Sequence, residues 1–149
     1  MIKRLISLCS RLNPDASSSS AIAEILDHDM DWEQVIETAH QEKVTPLLYR
    51  SLKRYPGPVP DSVLAQLKRF YLHNTGKNLQ HFHEIRPILQ RIEDRGLRMA
   101  LTKGARLAET VYKDPGLRYF VDIDFMAHPD DLVSIQDLLK ELDLSLIHI

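Results

Sequence analysis

The sequence predicts an α+β fold, with a helical region over residues 1–95 followed by a small core over 96–149 in which a mixed sheet is flanked by helices. Three observations lead there. The first half repeats apolar residues at helical spacing in segments bounded by Pro, Ser or Asp. Residues 97–127, LRMALTKGARLAETVYKDPGLRYFVDIDFMA, then read as strand, glycine turn, helix and second strand, the last carrying Asp122 and Asp124 two positions apart. After a Leu-rich helix through Leu142, the closing LSLIHI of residues 144–149 reads as a third strand.

In chain order, residues 1–12 set Ile2, Leu5, Ile6, Leu8, Cys9 and Leu12 at helical spacing with Lys3, Arg4 and Arg11 between them. The pattern fits a helix lying on a membrane surface or one packed on the rest of the protein, and packing is the commoner outcome. Residues 13–20 form a Pro- and Ser-rich joint, with Ser18 or Ser19 as the cap of a short helix through Leu26. Asp27, Asp29 and Asp31 alternate as in a calcium loop, but Trp32 stands where the turn glycine belongs and Thr38 where the closing acid belongs. Asp31 instead caps a helix over 32–42, with Gln34 three residues on and Trp32, Val35, Ile36 and Ala39 along its inner side.

Pro46 can open the next helix, over 47–54, as its first residue. A rigid linker over 55–60 leads to Asp61 or Ser62, which cap the longest helix, running to Asp94. Its stripe is Leu64, Leu67, Tyr71, Asn78, Phe82, Ile85, Leu89 and Ile92, while Asn74, Gly76 and Pro87 point to a bend or break. His73, His81 and His83 do not share one face at metal-ligand spacing, so solvated or core-edge positions are their default. Lys68, Arg69, Lys77, Arg86 and Arg91 scatter around the helix, as on a solvated surface.

The chemistry lies in the core. Gly104 permits a tight turn after the strand over 97–102, and a helix over 105–112 aims its free N–H groups back at that turn. An anion is favoured there, with Lys103 or Arg106 adding charge. Lys113-Asp114-Pro115-Gly116 breaks the helix. In a strand over 117–126, Asp122 and Asp124 share one face while Val121, Ile123 and Phe125 take the other. Paired carboxylates of this kind suit one or two Mg²⁺ or Mn²⁺ ions holding a triphosphate. An isolated Asp-x-Asp is common, so the weight comes from the order of the elements.

Lys103-Gly104-Ala105, the segment Tyr112-Lys113-Asp114-Pro115-Gly116-Leu117-Arg118 and Asp122-Ile123-Asp124 together resemble the nucleotidyltransferase fold of the DNA polymerase beta superfamily. More narrowly they are similar to a family of uncharacterised bacterial nucleotidyltransferases. The likeness reaches back to Trp32, Ala39 and Val44-Thr45-Pro46-Leu47-Leu48. It implies Mg²⁺-dependent transfer of a nucleoside monophosphate from a nucleoside triphosphate to a hydroxyl of a small molecule or protein. Asp122 and Asp124 would be the catalytic metal ligands, Gly104 and Ala105 would meet the phosphates through their backbone, and Lys103 and Arg118 would stabilise phosphate charge. Arg118 has the alternative of pairing with a nearby aspartate. Superfamily members usually carry a third carboxylate on a later strand. The chain stops at Ile149, where the fold is expected to be cut short, and Glu141 and Asp143 read as solvated. The rival readings are a non-catalytic nucleotide- or partner-binding module on the same fold, and a helical interaction protein whose Asp-x-Asp is incidental.

Composition bounds the rest. A net charge of −2 and a pI near 6.4 offer no bulk attraction to nucleic acid, so no polynucleotide substrate is expected. Cys9 is the single cysteine, which excludes an internal disulfide and makes the cytoplasm the simplest compartment. No apolar run approaches the roughly 20 residues that span a bilayer, and the N-terminus lacks a signal-peptide core.

Overall fold

The computed structural model describes residues 1–55 and 58–142. Four short helices, α1 (Ile2–Cys9), α2 (Ala16–Leu26), α3 (Trp32–Gln41) and α4 (Thr45–Leu52), gather around the first part of α5 (Asp61–Asp94). Leu5, Ile6 and Cys9 of α1 are buried with Ile22, Val35, Leu48, Leu52 and Leu67. Each such aliphatic side chain contributes about 1.5–3 kcal/mol by leaving water, so packing takes the apolar face of α1. Burial pushes the Cys9 thiol up to about 11, which keeps it protonated and unreactive at neutral pH.

Asp31 caps α3, accepting a hydrogen bond from the Gln34 N–H at 3.0 Å, as the sequence predicts. The cap of α2 is Asp15 rather than Ser18 or Ser19. Helical geometry begins at Ala16, Asp15 Oδ1 accepts from the Ser18 N–H at 2.7 Å, and Ser18 itself is buried in the first turn. Hydrogen bonds from Ser18, and then from Ser17, hold the Asp15 carboxyl down at about 2. Because the folded value is depressed, this stabilisation is complete above the unfolded value near 4 and is lost as pH falls through about 2. Asp15→Asn keeps a good cap but cannot titrate. Urea unfolding between those two pH values should therefore show a shallower acid decline for the variant than for wild type, and parallel curves would contradict the assignment.

α5 runs unbroken through Asn74, Gly76 and Pro87, contrary to the expected bend or break, and it starts from Pro60 with Asp61 as its first helical residue and not its cap. Tertiary packing outweighs the local cost of these residues. Val63 and Leu67 are fixed in the first cluster, while Ile85, Ile88 and Ile92 are fixed in a second one against Ile135, Leu138 and Leu139 of α7 (Leu132–Glu141). Gly96, at φ +65°, ends the helix.

Among the described residues the sheet is antiparallel and two-stranded rather than mixed. β1 (Met99–Leu101) pairs with β2 (Phe125–Ala127), Leu101 opposite Phe125. The strand expected over 117–126 is confined to its last part, for two reasons. Pro115, Gly116 and Arg118 are bonded sideways to α5, and Phe120 is drawn into a cluster with Ala105 and Ala108. Val121, expected on the apolar face, is therefore exposed; alternation begins only at Ile123, which packs inward with Phe125 and Ala127. α6 (Lys103–Leu107) begins earlier than predicted and continues as one wide π-helical turn, Ala108–Tyr112. The third strand expected over 144–149 lies outside the described residues.

Candidate functional site

The ladder between β1 and β2 continues one step beyond the strands, with the Thr102 N–H donating to the Asp124 carbonyl at 2.9 Å. That register brings Lys103, the next residue of one chain segment, to the carboxylates of the other. Lys103 Nζ donates to Asp124 Oδ1 at 2.8 Å. The ammonium is mostly solvent-exposed and the carboxylate mostly covered. Hydrogen bonding to Asp124 first, then the charge of Asp124 and to a lesser degree that of Asp122, raises the Lys103 pKa above the usual lysine range. Asp124 thus holds the lysine ammonium, with Asp122 nearby but not bonded to it.

Gly104 has a different reason from the expected one. The left-handed residue is Lys103, at φ +45°, whereas Gly104 lacks a side chain because a Cβ there would come within 2.6 Å of Phe120 Cβ. The Phe120 ring also meets Phe82 edge-on at 5.9 Å and His81 at 5.7 Å. These contacts pin the 117–122 loop over the start of α6. Ala105 is buried in that same cluster, so its side chain is part of the core and only its backbone is left for a ligand.

The loop is fastened to α5 from its other end by polar side chains buried at successive turns. Asn74 Nδ2 donates to the carbonyls of Gly116 at 2.8 Å and Arg118 at 3.1 Å. Asn78 Nδ2 donates to those of Pro115 at 2.5 Å and Arg118 at 2.7 Å. The Tyr71 hydroxyl donates to Asp114, whose Oδ1 accepts from the Gly116 N–H at 2.9 Å. Gly116 lies so close against Tyr71 and Thr75 that no Cβ fits. The Arg118 guanidinium sits 5.9 Å from the centre of the Tyr112 ring. Its Nε is buried and without a partner among the described residues, so the alternative of an aspartate pair at that atom is not realised. A buried donor left unsatisfied costs free energy until an acceptor arrives, and a phosphate oxygen is such an acceptor.

These pieces enclose a pocket of about 420 Å³. It gathers Lys103, Gly104, Arg118, Asp122 and Asp124, five of the six predicted site residues, and Ala105 is not on its wall. Its far side is formed by Glu42, Lys43 and Val44 from the turn between α3 and α4 and by Leu47 of α4, together with Tyr119; sequence reasoning placed none of these in the site, although the family likeness took in Val44 and Leu47. Lys43 Nζ lies 5.6 Å from the Tyr119 ring centre, within cation–π range. Its one local trace is a left-handed φ of +57°, which sequence alone does not reveal.

Among the described residues no group of three or more His, Cys, Asp or Glu is arranged to hold a metal. Glu141, the described candidate for a later acid, is paired with Arg95 at 2.8 Å on the surface, while Asp143 lies outside the described residues. The donor set nevertheless suits Mg²⁺, which commonly takes one or two carboxylates and completes its shell with water and substrate phosphates. The Lys103 ammonium on Asp124 marks where positive charge is stabilised.

A family model described as "Uncharacterised nucleotidyltransferase" matches residues 28–148. No curated protein and no solved structure is significantly similar to the chain. The matched range takes in both walls of the pocket, from Glu42 to Asp124. No helix among the described residues is long and apolar enough to cross a membrane.

Proposed function

The chain belongs to the uncharacterised nucleotidyltransferase family, and on that premise we propose that it moves a nucleoside monophosphate from a nucleoside triphosphate to a hydroxyl of a small molecule or protein. The observation that carries this reading is the convergence of Asp122, Asp124, Lys103 and Arg118 on one pocket, from two segments, the start of α6 and the 118–124 stretch, that fold together around Phe120. Asp122 and Asp124 would hold Mg²⁺ or Mn²⁺, which when bound supplies charge neutralisation at the triphosphate.

The chain's own residues do the rest. Arg118, its Nε lacking a partner, offers a planar fork of donors to phosphate oxygens. Lys103, bonded to Asp124 on the same wall, would offer its ammonium to an arriving phosphate. The Gly104 backbone lies on the pocket wall without a side chain to block approach. Such chemistry depends mainly on position and electrostatics. With an acidic net balance and one buried thiol, the setting that fits is the cytoplasm and the acceptor is not a polynucleotide. The lack, among the described residues, of a group of three or more His, Cys, Asp or Glu placed to hold a metal favours one alternative, a module that binds nucleotide without turning it over.

Thermal melting with each of the four ribonucleoside triphosphates, with and without Mg²⁺, tests the reading, because a ligand of the native state raises the melting temperature by mass action. A shift that needs both the metal and the aspartates is expected for wild type and should vanish in Asp122→Ala/Asp124→Ala. Absence of any shift in folded wild-type protein would sink the nucleotide reading. A shift with no pyrophosphate release in the presence of varied hydroxyl acceptors would favour the binding module.

A further inference from the structure

We infer that Lys43 is a polyphosphate-binding residue of this pocket, retained in a backbone conformation unfavourable to lysine because its ammonium is used there; this rests on the nucleoside-triphosphate reading of the site. Two helices of the chain end in the same hydrogen-bond pattern. At the end of α5 the Leu97 N–H donates to the Ile92 carbonyl at 3.0 Å and the Gly96 N–H to the Glu93 carbonyl at 2.9 Å. At the end of α3 the Val44 N–H donates to Ala39 at 2.9 Å and the Lys43 N–H to His40 at 3.0 Å. Both are Schellman endings, whose left-handed position suits glycine because it has no Cβ to strain. α5 places Gly96 there, at φ +65°, but α3 places Lys43, at φ +57°.

The other non-glycine residues with positive φ among the described residues are Lys103 and Lys113. Lys103 lines the pocket with Lys43, whereas Lys113 is not part of its wall. Lys103 is already engaged by Asp124. Lys43 forms no ion pair among the described residues, and its ammonium rests over Tyr119, a ring of the same wall. Strained backbone persists where the surrounding fold enforces it and concentrates at binding sites. A lysine chosen only for its charge at a helix C-terminus would serve the helix dipole equally well from an unstrained position.

Lys43→Gly and Lys113→Gly relieve the same conformation, one inside the pocket and one outside it. Both should melt at or above the wild-type temperature, since glycine adopts positive φ freely. Inorganic tripolyphosphate, titrated calorimetrically in Mg²⁺ buffer, should bind Lys43→Gly roughly tenfold more weakly than wild type and Lys113→Gly as tightly as wild type. Unchanged affinity in Lys43→Gly, or equal losses in the two variants, would overturn the inference, as would a clear drop in the melting temperature of Lys43→Gly. Failure of the underlying pocket reading looks different: wild type itself would not bind tripolyphosphate.

Discussion

Asp124→Asn should lower the rate of nucleotide transfer by roughly 10²–10³-fold, the scale reached when one preorganised electrostatic interaction with a transition state is removed. The loss should fall on kcat and kcat/KM together, because the carboxylate acts on charge that develops during transfer rather than on ground-state binding alone. Asp122→Asn should behave similarly. Neither change should disturb folding much. Asp122 is exposed, and Asp124 is paired with a mostly exposed lysine, an arrangement that stabilises a fold little. Steady-state kinetics of both variants beside thermal melting would separate the two effects. Full turnover in Asp122→Asn, with the protein folded, would show that the paired aspartates are not the reacting centre.

Gly116→Ala should destabilise the protein by about 1–3 kcal/mol, the usual cost of forcing a methyl group into packed surroundings. The added carbon would collide with Thr75 Oγ1 and the Tyr71 ring. Tyr71 cannot easily retreat, because its hydroxyl is bonded to Asp114 and its ring packs on Tyr49 at 5.5 Å. Relieving the clash means moving the 114–118 turn off α5, which loosens the bonds from Asn74 and Asn78 to the Arg118 carbonyl. Nucleotide binding should therefore weaken along with stability. The same substitution at Gly76 has the opposite sign. That glycine is exposed in mid-helix with nothing within 4 Å of a new Cβ, so alanine should stabilise by about 0.5–1 kcal/mol through helix propensity. Chemical denaturation of the two variants would check both signs, and a neutral Gly116→Ala would remove the argument that this turn is wedged against α5.

The residues legible from sequence are those whose signal is local. Asp31 announces the start of α3 because its cap reaches a backbone N–H only three residues away. Leu67, Asn78, Ile85 and Ile92 are legible as inward positions of α5 because helical periodicity repeats along one element, whereas the buried Val63, Asn74 and Ile88 lie off the expected stripe. Lys103-Gly104 and Asp122-Ile123-Asp124 are legible as a constellation because the short ladder between them leaves one register that turns Ile123 and Phe125 inward. Interactions across long sequence separations are decided otherwise. Asn74 reads as a helix breaker until its amide meets the carbonyls of Gly116 and Arg118, more than forty residues away. The stretch 117–122 alternates well enough for a strand, yet Phe120 gains more by filling the space above Gly104 than a strand would give it. Lys43 carries no mark in the sequence, its left-handed φ being visible only in the folded chain. Its place in the pocket depends on how the α3–α4 turn packs beside Tyr119, and its left-handed backbone is imposed by the helix ending around it. Caps and periodicity act within a few residues of backbone and are written in order along the chain. The pocket is a balance of burial, close approach and hydrogen bonding between distant segments, and only the folded chain fixes that balance.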